Sequence, residues 1–195
     1  MTGVRHPHPA HGSGWHVLTG GPSSGKTTTV NLLHARGYAT TMEHARHYID
    51  LQRISGRSIR QIRDRQAQFQ RAVVAMQIQQ ERDLDPAQTV FLDRALPDSL
   101  AYYRFLGIDP DPALRDAVTQ ARYATVFLLD LLPLAPDYAR TEDAAAQQRL
   151  HELIGQVYRE LPFPVVTVPA LPPDVRVELI LERASADRPA ERGVS

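Results

Sequence analysis

The chain has 195 residues, of which 43% are hydrophobic, so it is long enough to bury one sizeable core. Its 22 basic side chains balance its 22 acidic ones, which argues against a surface devoted to nucleic-acid backbones. It has no cysteine and no apolar stretch of the ~20 residues that span a bilayer, which excludes disulfides, thiolate chemistry and membrane-spanning helices. We therefore expect a single-domain cytoplasmic protein.

The hydrophobic pattern predicts a flexible leader over residues 1–13, a folded domain over 14–184 and a flexible tail over 185–195. Five short apolar or β-branched runs predict strands at 14–20, 38–42, 88–94, 123–130 and 163–169. Between and after them, helices are predicted at 25–35, 43–54, 58–84, 96–107, 111–122, 141–161 and 172–184. Strands separated by helices favour a three-layer α/β fold with a mostly parallel five-stranded sheet.

The stretch GGPSSGKTT, residues 20–28, matches the pattern G-x-x-x-x-G-K-[ST] between the first predicted strand and the first helix. Glycines let such a loop bring bare backbone N–H groups to phosphate oxygens, and the helix that follows adds its N-terminal partial positive charge. The pattern predicts ATP binding, with the Thr27 hydroxyl directed to Mg²⁺. The predicted nucleotide-binding residues are Gly20, Gly21, Pro22, Ser23, Ser24, Gly25, Lys26, Thr27 and Thr28.

The loop contains the only lysine of the chain, Lys26, and the other 21 basic side chains are arginine. A lysine ammonium is a compact point charge on a flexible stem, whereas the guanidinium of arginine is a wider planar fork. We therefore predict that Lys26 is a catalytic residue that contacts the β- and γ-phosphates, in a position where arginine does not fit.

A carboxylate directed to Mg²⁺ is expected at the end of a strand next to the first one, and Asp93 and Asp130 both end predicted strands. We favour Asp93, because in phosphate-loop kinases the third strand lies beside the first and because Arg94 follows directly. An Asp-Arg pair can serve the metal and the acceptor together. The alternative, Asp130, leads into a proline-interrupted loop, where it would cap a turn.

Two further side chains follow the second strand. Glu43 is a candidate to accept a proton from an acceptor hydroxyl, and Arg46 is a candidate to hold a negative group on the acceptor. A carboxylate favoured by the start of a helix is the alternative explanation for Glu43.

A run of arginines between residues 53 and 71 is either a solvated helix face or a contact surface for a phosphorylated substrate, a lipid headgroup or RNA. This run comprises Arg53, Arg57, Arg60, Arg63, Arg65 and Arg71.

Four stretches together resemble the NadR-like, ribosylnicotinamide-kinase-like branch of P-loop ATPases and kinases: GGPSSGKTT, EHARHYI, FLDRALPDSLAYYRFLG and LLPLAPDYARTED. The resemblance covers about residues 15–184. It implies a P-loop NTPase fold of the nucleoside and nucleotide kinase type, with ATP as the phosphoryl donor and a nucleoside-like acceptor. It also implies that Asp93 and Arg94 lie at the metal and acceptor site. Asp137 would contact the acceptor, and Arg140 would close over the phosphates from a lid.

Two functions are consistent with these residues, and a third, that of a Ras-like GTPase, is not. A Ras-like GTPase is excluded, because its guanine-binding Asn-Lys-x-Asp element is absent from a chain with one asparagine, Asn31, and one lysine. The favoured function is a Mg²⁺-dependent kinase that transfers a phosphoryl group from ATP to a small hydroxyl-bearing acceptor. The alternative is an ATP-binding or ATP-hydrolysing switch protein whose arginine-rich helix binds a phosphorylated ligand, a lipid headgroup or a protein partner.

Overall fold

The computed structural model describes residues 13–42, 66–132 and 144–186. The strands are β1 Trp15–Thr19, β2 Ala39–Thr40, β3 Val90–Asp93, β4 Thr125–Leu129 and β5 Val165–Val168. The helices are α1 Lys26–Ala35, α2 Gln66–Asp83, α3 Leu96–Leu106, α4 Pro112–Gln120, α5 Ala144–Arg159 and α6 Pro173–Ala186. None of these helices is long and apolar enough to cross a membrane.

The five strands form one sheet in the order β2-β3-β1-β4-β5, and every neighbouring pair is parallel. Strands β1, β3 and β4 are buried along their whole length, as expected for central strands of a parallel sheet covered on both faces. In this order β1 occupies the centre, so the loop after β1 lies between the carboxyl ends of β3 and β4. Open α/β sheets bind their ligands at such an edge.

Alternate residues of the sheet face two hydrophobic cores, which makes the fold three-layered. Val17 packs in one core with side chains of α3 and α5, and its neighbour Leu18 packs in the other with side chains of α1 and α6. The first core includes Ala101, Leu150 and Ile154. The second includes Val30, Leu33, Val177 and Ile180. The predicted fold class, a P-loop NTPase architecture with a five-stranded parallel sheet, is confirmed.

Some boundaries differ from the sequence prediction. Strand β2 has only two residues, although the N–H of the next residue, Thr41, still donates to the Phe91 carbonyl. Helix α6 runs to Ala186, two residues into the predicted tail. Ser13, the last residue of the predicted leader, is buried, and its hydroxyl donates to the Arg122 carbonyl. The helix predicted over 43–54 and the first part of the one predicted over 58–84 lie outside the described residues.

Candidate functional site

The loop between β1 and α1 depends on glycine at two positions. Gly20 has φ 137°, and a Cβ there would lie 2.6 Å from the Leu129 carbonyl oxygen. Gly25, the residue that precedes α1, has φ 83°, and a Cβ there would lie 2.8 Å from an Arg176 nitrogen. Both backbone conformations favour glycine on steric grounds. The two glycines of the sequence pattern are therefore required by the backbone as well as by the space around it.

Lys26 extends back into this loop. Its ammonium nitrogen Nζ donates to the carbonyl oxygens of Gly20 and Gly21, both at 2.8 Å, and to the Ser24 hydroxyl at 3.1 Å. The residue is only 4% exposed. A buried cation held by loop oxygens is in position to meet a negative group that enters the loop. The geometry fits the predicted role of Lys26.

Four consecutive residues of the loop are hydrogen-bonded by residues from later in the chain. The four bonds are Gly21 N–H to His151 Nδ1 (3.3 Å), Gln147 Nε2 to the Pro22 carbonyl (2.5 Å), Leu132 N–H to the Ser23 carbonyl (3.1 Å) and Arg176 Nη1 to the Ser24 carbonyl (2.7 Å). Gln147 and His151 lie on α5, and Arg176 lies on α6. The shape of the loop is therefore set by the elements that follow β4 as well as by its own glycines.

The surroundings of His151 favour its neutral form. Burial lowers its pKa from the usual 6.5, and the nearby charge of Lys26 acts in the same direction, while the Asp130 carboxylate opposes both. A neutral imidazole has one nitrogen that accepts a hydrogen bond, and here Nδ1 accepts from Gly21. The same peptide group is thus fixed on both sides, because its carbonyl, that of Gly20, accepts from Lys26.

The two candidate metal carboxylates lie on opposite sides of the loop. Asp93 ends β3 opposite Leu18 of β1, is 3% exposed, and its backbone N–H donates to the Thr41 hydroxyl. The expectation that the third strand lies beside the first is confirmed. However, β4 lies beside β1 as well, so strand order alone does not separate Asp93 from Asp130. The Asp130 carboxylate instead acts on His151 and Arg176, since its charge opposes the lowering of both their pKa values by burial.

Arg94 adopts a left-handed backbone conformation, with φ 67°, directly after β3. Its N–H donates to the Leu18 carbonyl, and its Nη1 lies 3.4 Å from Oδ1 of Asp98 and 3.5 Å from the Gly20 carbonyl oxygen. A non-glycine residue with this φ is strained, and such strain persists only where surrounding contacts hold it. The Arg94 guanidinium, predicted at the acceptor site, thus reaches the start of the loop.

Asp98, in the first turn of α3, connects β1, α3 and α5. Its Oδ1 accepts from the Thr19 hydroxyl at 2.6 Å, and its Oδ2 accepts from the Tyr158 hydroxyl at 2.7 Å and from the Ala95 N–H at 3.1 Å. The side chain is buried, and Thr19 is the last residue before Gly20. Sequence reasoning missed Asp98. Two features of the sequence could have indicated its role: its position in the first turn of a predicted helix, and its spacing of four residues from Arg94.

Several predicted site residues lie outside the described part of the chain. They are Glu43, Arg46, Asp137 and Arg140, together with the basic run from Arg53 to Arg65. Arg71, the last residue of that run, is described, and its Nε pairs with Asp111 at 3.3 Å. Its charge is therefore met within the chain.

The residues on either side of the loop suit a hard cation. Thr27, half-buried in the first turn of α1, offers a hydroxyl oxygen, and Asp93 offers a carboxylate. Across residues 13–42, 66–132 and 144–186, no cluster of three or more His, Cys, Asp or Glu side chains could hold a metal ion by itself. Mg²⁺ is typically held by one or two protein oxygens and by substrate phosphates. The donor set fits Mg²⁺ that arrives with a nucleotide.

A protein-family model for the AAA domain matches residues 15–176. The chain belongs to this AAA domain family. No curated protein matches it by sequence. The matched residues contain the loop, Asp93, Arg94 and Asp98, and the match ends at Arg176, within α6.

Among solved structures, deoxyadenosine kinase from M. mycoides, with dCMP and dCDP, is similar, with a TM-score of 0.64 at 14% identity over 89% of this chain and 100% of that one. Thymidylate kinase from Ehrlichia chaffeensis gives a TM-score of 0.64 at 16% identity over 89% and 99%. The NadR protein in complex with NR gives 0.66 at 18% identity over 94% of this chain and 52% of that one. The AAA domain therefore has the fold of nucleoside and nucleotide kinases and spans about half of NadR.

Proposed function

We propose that this AAA domain protein is a P-loop phosphotransferase that moves a phosphoryl group from ATP to a small, hydroxyl-bearing, nucleoside-like acceptor. The observation that carries the proposal is the buried Lys26 ammonium, held by oxygens of a glycine loop beside Asp93. The fold, shared with deoxyadenosine and thymidylate kinases, supports a small acceptor. We expect the protein to act in the cytoplasm.

In this proposal the loop amides and the N-terminus of α1 bind the phosphates of ATP, and Lys26 stabilises negative charge that develops on the transferred group. Thr27 and Asp93 would hold Mg²⁺, which supplies charge neutralisation at the phosphates when it is bound. Arg94 would orient the acceptor next to the loop. Glu43 would accept the proton of the acceptor hydroxyl, with Arg46 and Asp137 as further acceptor contacts and Arg140 over the phosphates.

The test is ADP release from ATP and Mg²⁺ in the presence of a panel of ribonucleosides, deoxyribonucleosides and their monophosphates. We expect at least one of these acceptors to stimulate ADP release well above the rate with ATP alone, and to yield a phosphorylated product by mass spectrometry. Tight ATP binding with no acceptor-stimulated turnover would contradict the kinase and favour the nucleotide-dependent switch.

A matched pair of variants assigns the metal carboxylate in the same assay. We expect Asp93→Asn to reduce Mg²⁺-dependent turnover by orders of magnitude and Asp130→Asn to reduce it far less, because only Asp93 would face the β- and γ-phosphates. Both variants remove one carboxylate charge from the same edge of the sheet, so nonspecific charge effects cancel. Equal losses would contradict the assignment of Asp93.

A further inference from the structure

Arg176 is buried next to the loop with part of its guanidinium unsatisfied. The residue is 2% exposed, and its Nη1 donates to the Ser24 carbonyl at 2.7 Å. Its other two nitrogens, Nε and Nη2, are also buried and have no hydrogen-bond partner in the part of the chain that the structure describes. A guanidinium has five N–H donors, so most of the donors of this buried cation meet no acceptor within residues 13–42, 66–132 and 144–186.

Such an arrangement is costly for a charged group. A buried donor without an acceptor destabilises the fold, and more so when the group is charged. Burial accordingly lowers the pKa of Arg176, with only the more distant Asp130 carboxylate acting in the opposite direction. No ion pair within 4 Å joins Arg176 to Asp130 or to any other carboxylate of the described chain. An unsatisfied buried group in a native fold requires an explanation, and a missing ligand is one.

The position of the guanidinium indicates which ligand is missing. Arg176 lies against the junction of the loop and α1, since a Cβ on Gly25 would be 2.8 Å from its Nη1 and 3.9 Å from its Cζ. Backbone N–H groups at the start of a helix bind phosphate, and Gly25 precedes the first residue of α1. Arginine donates paired hydrogen bonds to phosphate oxygens.

We propose that Arg176 is a nucleotide-binding residue whose Nε and Nη2 donate to a phosphate group bound at the start of α1. This inference rests on the proposed function, because it requires a nucleotide in the loop. In the complex, the Ser24 carbonyl and the phosphate together give each of the three guanidinium nitrogens an acceptor. Arg176 thus adds a cation to those of Lys26 and Arg94, on the side of the loop that faces α6 and away from Asp93.

The experiment measures binding of Mg²⁺-ATP and of Mg²⁺-tripolyphosphate by calorimetry to the full chain and to three variants. In Arg176→Gln we expect both affinities to fall about 10- to 100-fold, the range for a lost charge-assisted hydrogen bond. Arg36→Gln is the control, because Arg36 also links α1 to α6, through Asp174 and Glu178, but from the opposite end of α1. We expect it to bind both ligands as the unmodified chain does.

The third variant, Arg176→Lys, separates binding from packing. Lysine keeps the charge and one donor for the Ser24 carbonyl but lacks the paired N–H groups, so we expect a native melting temperature without ligand and a clearly reduced affinity. Unchanged affinity in folded Arg176→Lys, or in Arg176→Gln, would overturn the proposal. So would a loss for ATP without a loss for tripolyphosphate, since the contact would then not be to phosphate. If the unmodified chain binds no ATP, the proposed function fails instead.

Discussion

At the level of single side chains, the environment of Lys26 explains why the chain keeps one lysine among 21 arginines. Its ammonium donates to three oxygens within the turn of the loop, two of them carbonyls at 2.8 Å, and the residue is almost fully buried. Three acceptors around one nitrogen match the three donors of an ammonium. A planar guanidinium would direct its donors in one plane and would need more room.

At position 26 we expect activity to require the narrow shape of the lysine side chain as well as its positive charge. We expect Lys26→Ala to lower kcat/KM for ATP by orders of magnitude, because placing positive charge at the phosphates is most of what such a protein contributes. We expect Lys26→Arg to restore little of it, because the wider fork displaces the transferred phosphate. Steady-state kinetics check both, with the melting temperature as a control for folding. Near-normal activity in Lys26→Arg would show that charge alone is required.

At the level of elements, helix α5 supports the loop through side chains one turn apart. Gln147 donates to the Pro22 carbonyl, and His151 accepts from the Gly21 N–H. The side chain of His151 keeps the Gly20–Gly21 peptide oriented so that its carbonyl faces Lys26. We infer that α5 positions the loop, and that His151 acts through the backbone and not by contact with substrate.

Two variants of His151 test this positioning role. Asparagine carries an acceptor oxygen as many bonds from the backbone as Nδ1, whereas glutamine carries it one bond further. We expect His151→Asn to keep KM for ATP near normal and His151→Gln to raise it about 3- to 10-fold, the effect of one neutral hydrogen bond, with a smaller change in kcat. Steady-state kinetics at saturating acceptor measure the split. A glutamine variant that performs better than the asparagine variant would contradict the assigned acceptor atom.

The elements themselves were largely predictable, and their contacts were not. Continuous apolar runs gave the strands, and the loop was visible because all of its motif lies within nine residues of the sequence. The supporting contacts join residues far apart: Thr19 to Asp98 spans 79 positions, and Gly21 to His151 spans 130. Hydrophobic periodicity carries no information about which polar side chains meet across such distances. Arg176 was missed for the same reason, since in sequence it is an ordinary helical arginine.

At the level of the whole molecule, Glu81 links three parts of the chain inside the fold. Its Oε1 accepts from Gln77 of α2 at 2.8 Å and from the Leu96 N–H of α3 at 3.3 Å, and its Oε2 accepts from the Tyr123 hydroxyl ahead of β4 at 2.8 Å. Burial raises the pKa of Glu81 from 4.5 to about 7, with a smaller contribution from Asp98, while the three hydrogen bonds lower it. The folded state therefore retains a proton on Glu81 at a pH where the unfolded chain has released it.

The raised pKa of Glu81 makes the free energy of unfolding depend on pH. Between pH 4.5 and about 7 the folded state binds more protons than the unfolded state, so the contribution of Glu81 is fully present at low pH and is lost as pH rises. At about 1.4 kcal/mol per pKa unit, the loss reaches roughly 3 kcal/mol. Glutamine has nearly the same shape and never ionises. Glu81→Gln should therefore abolish this loss while keeping an acceptor for Gln77 and Leu96.

We expect the free energy of unfolding of Glu81→Gln to exceed that of the unmodified chain by an amount that grows from about pH 5 to about pH 8, approaching roughly 3 kcal/mol. Urea denaturation at several pH values measures it, and the slopes of the transitions should stay equal. Glu182→Gln is the control, because it removes an exposed carboxylate from α6 and should change the stability little. Parallel stability curves for Glu81→Gln and the unmodified chain would mean that Glu81 ionises at its ordinary pKa within the fold. The hydrogen bonds from Gln77, Leu96 and Tyr123 would then fully offset its burial.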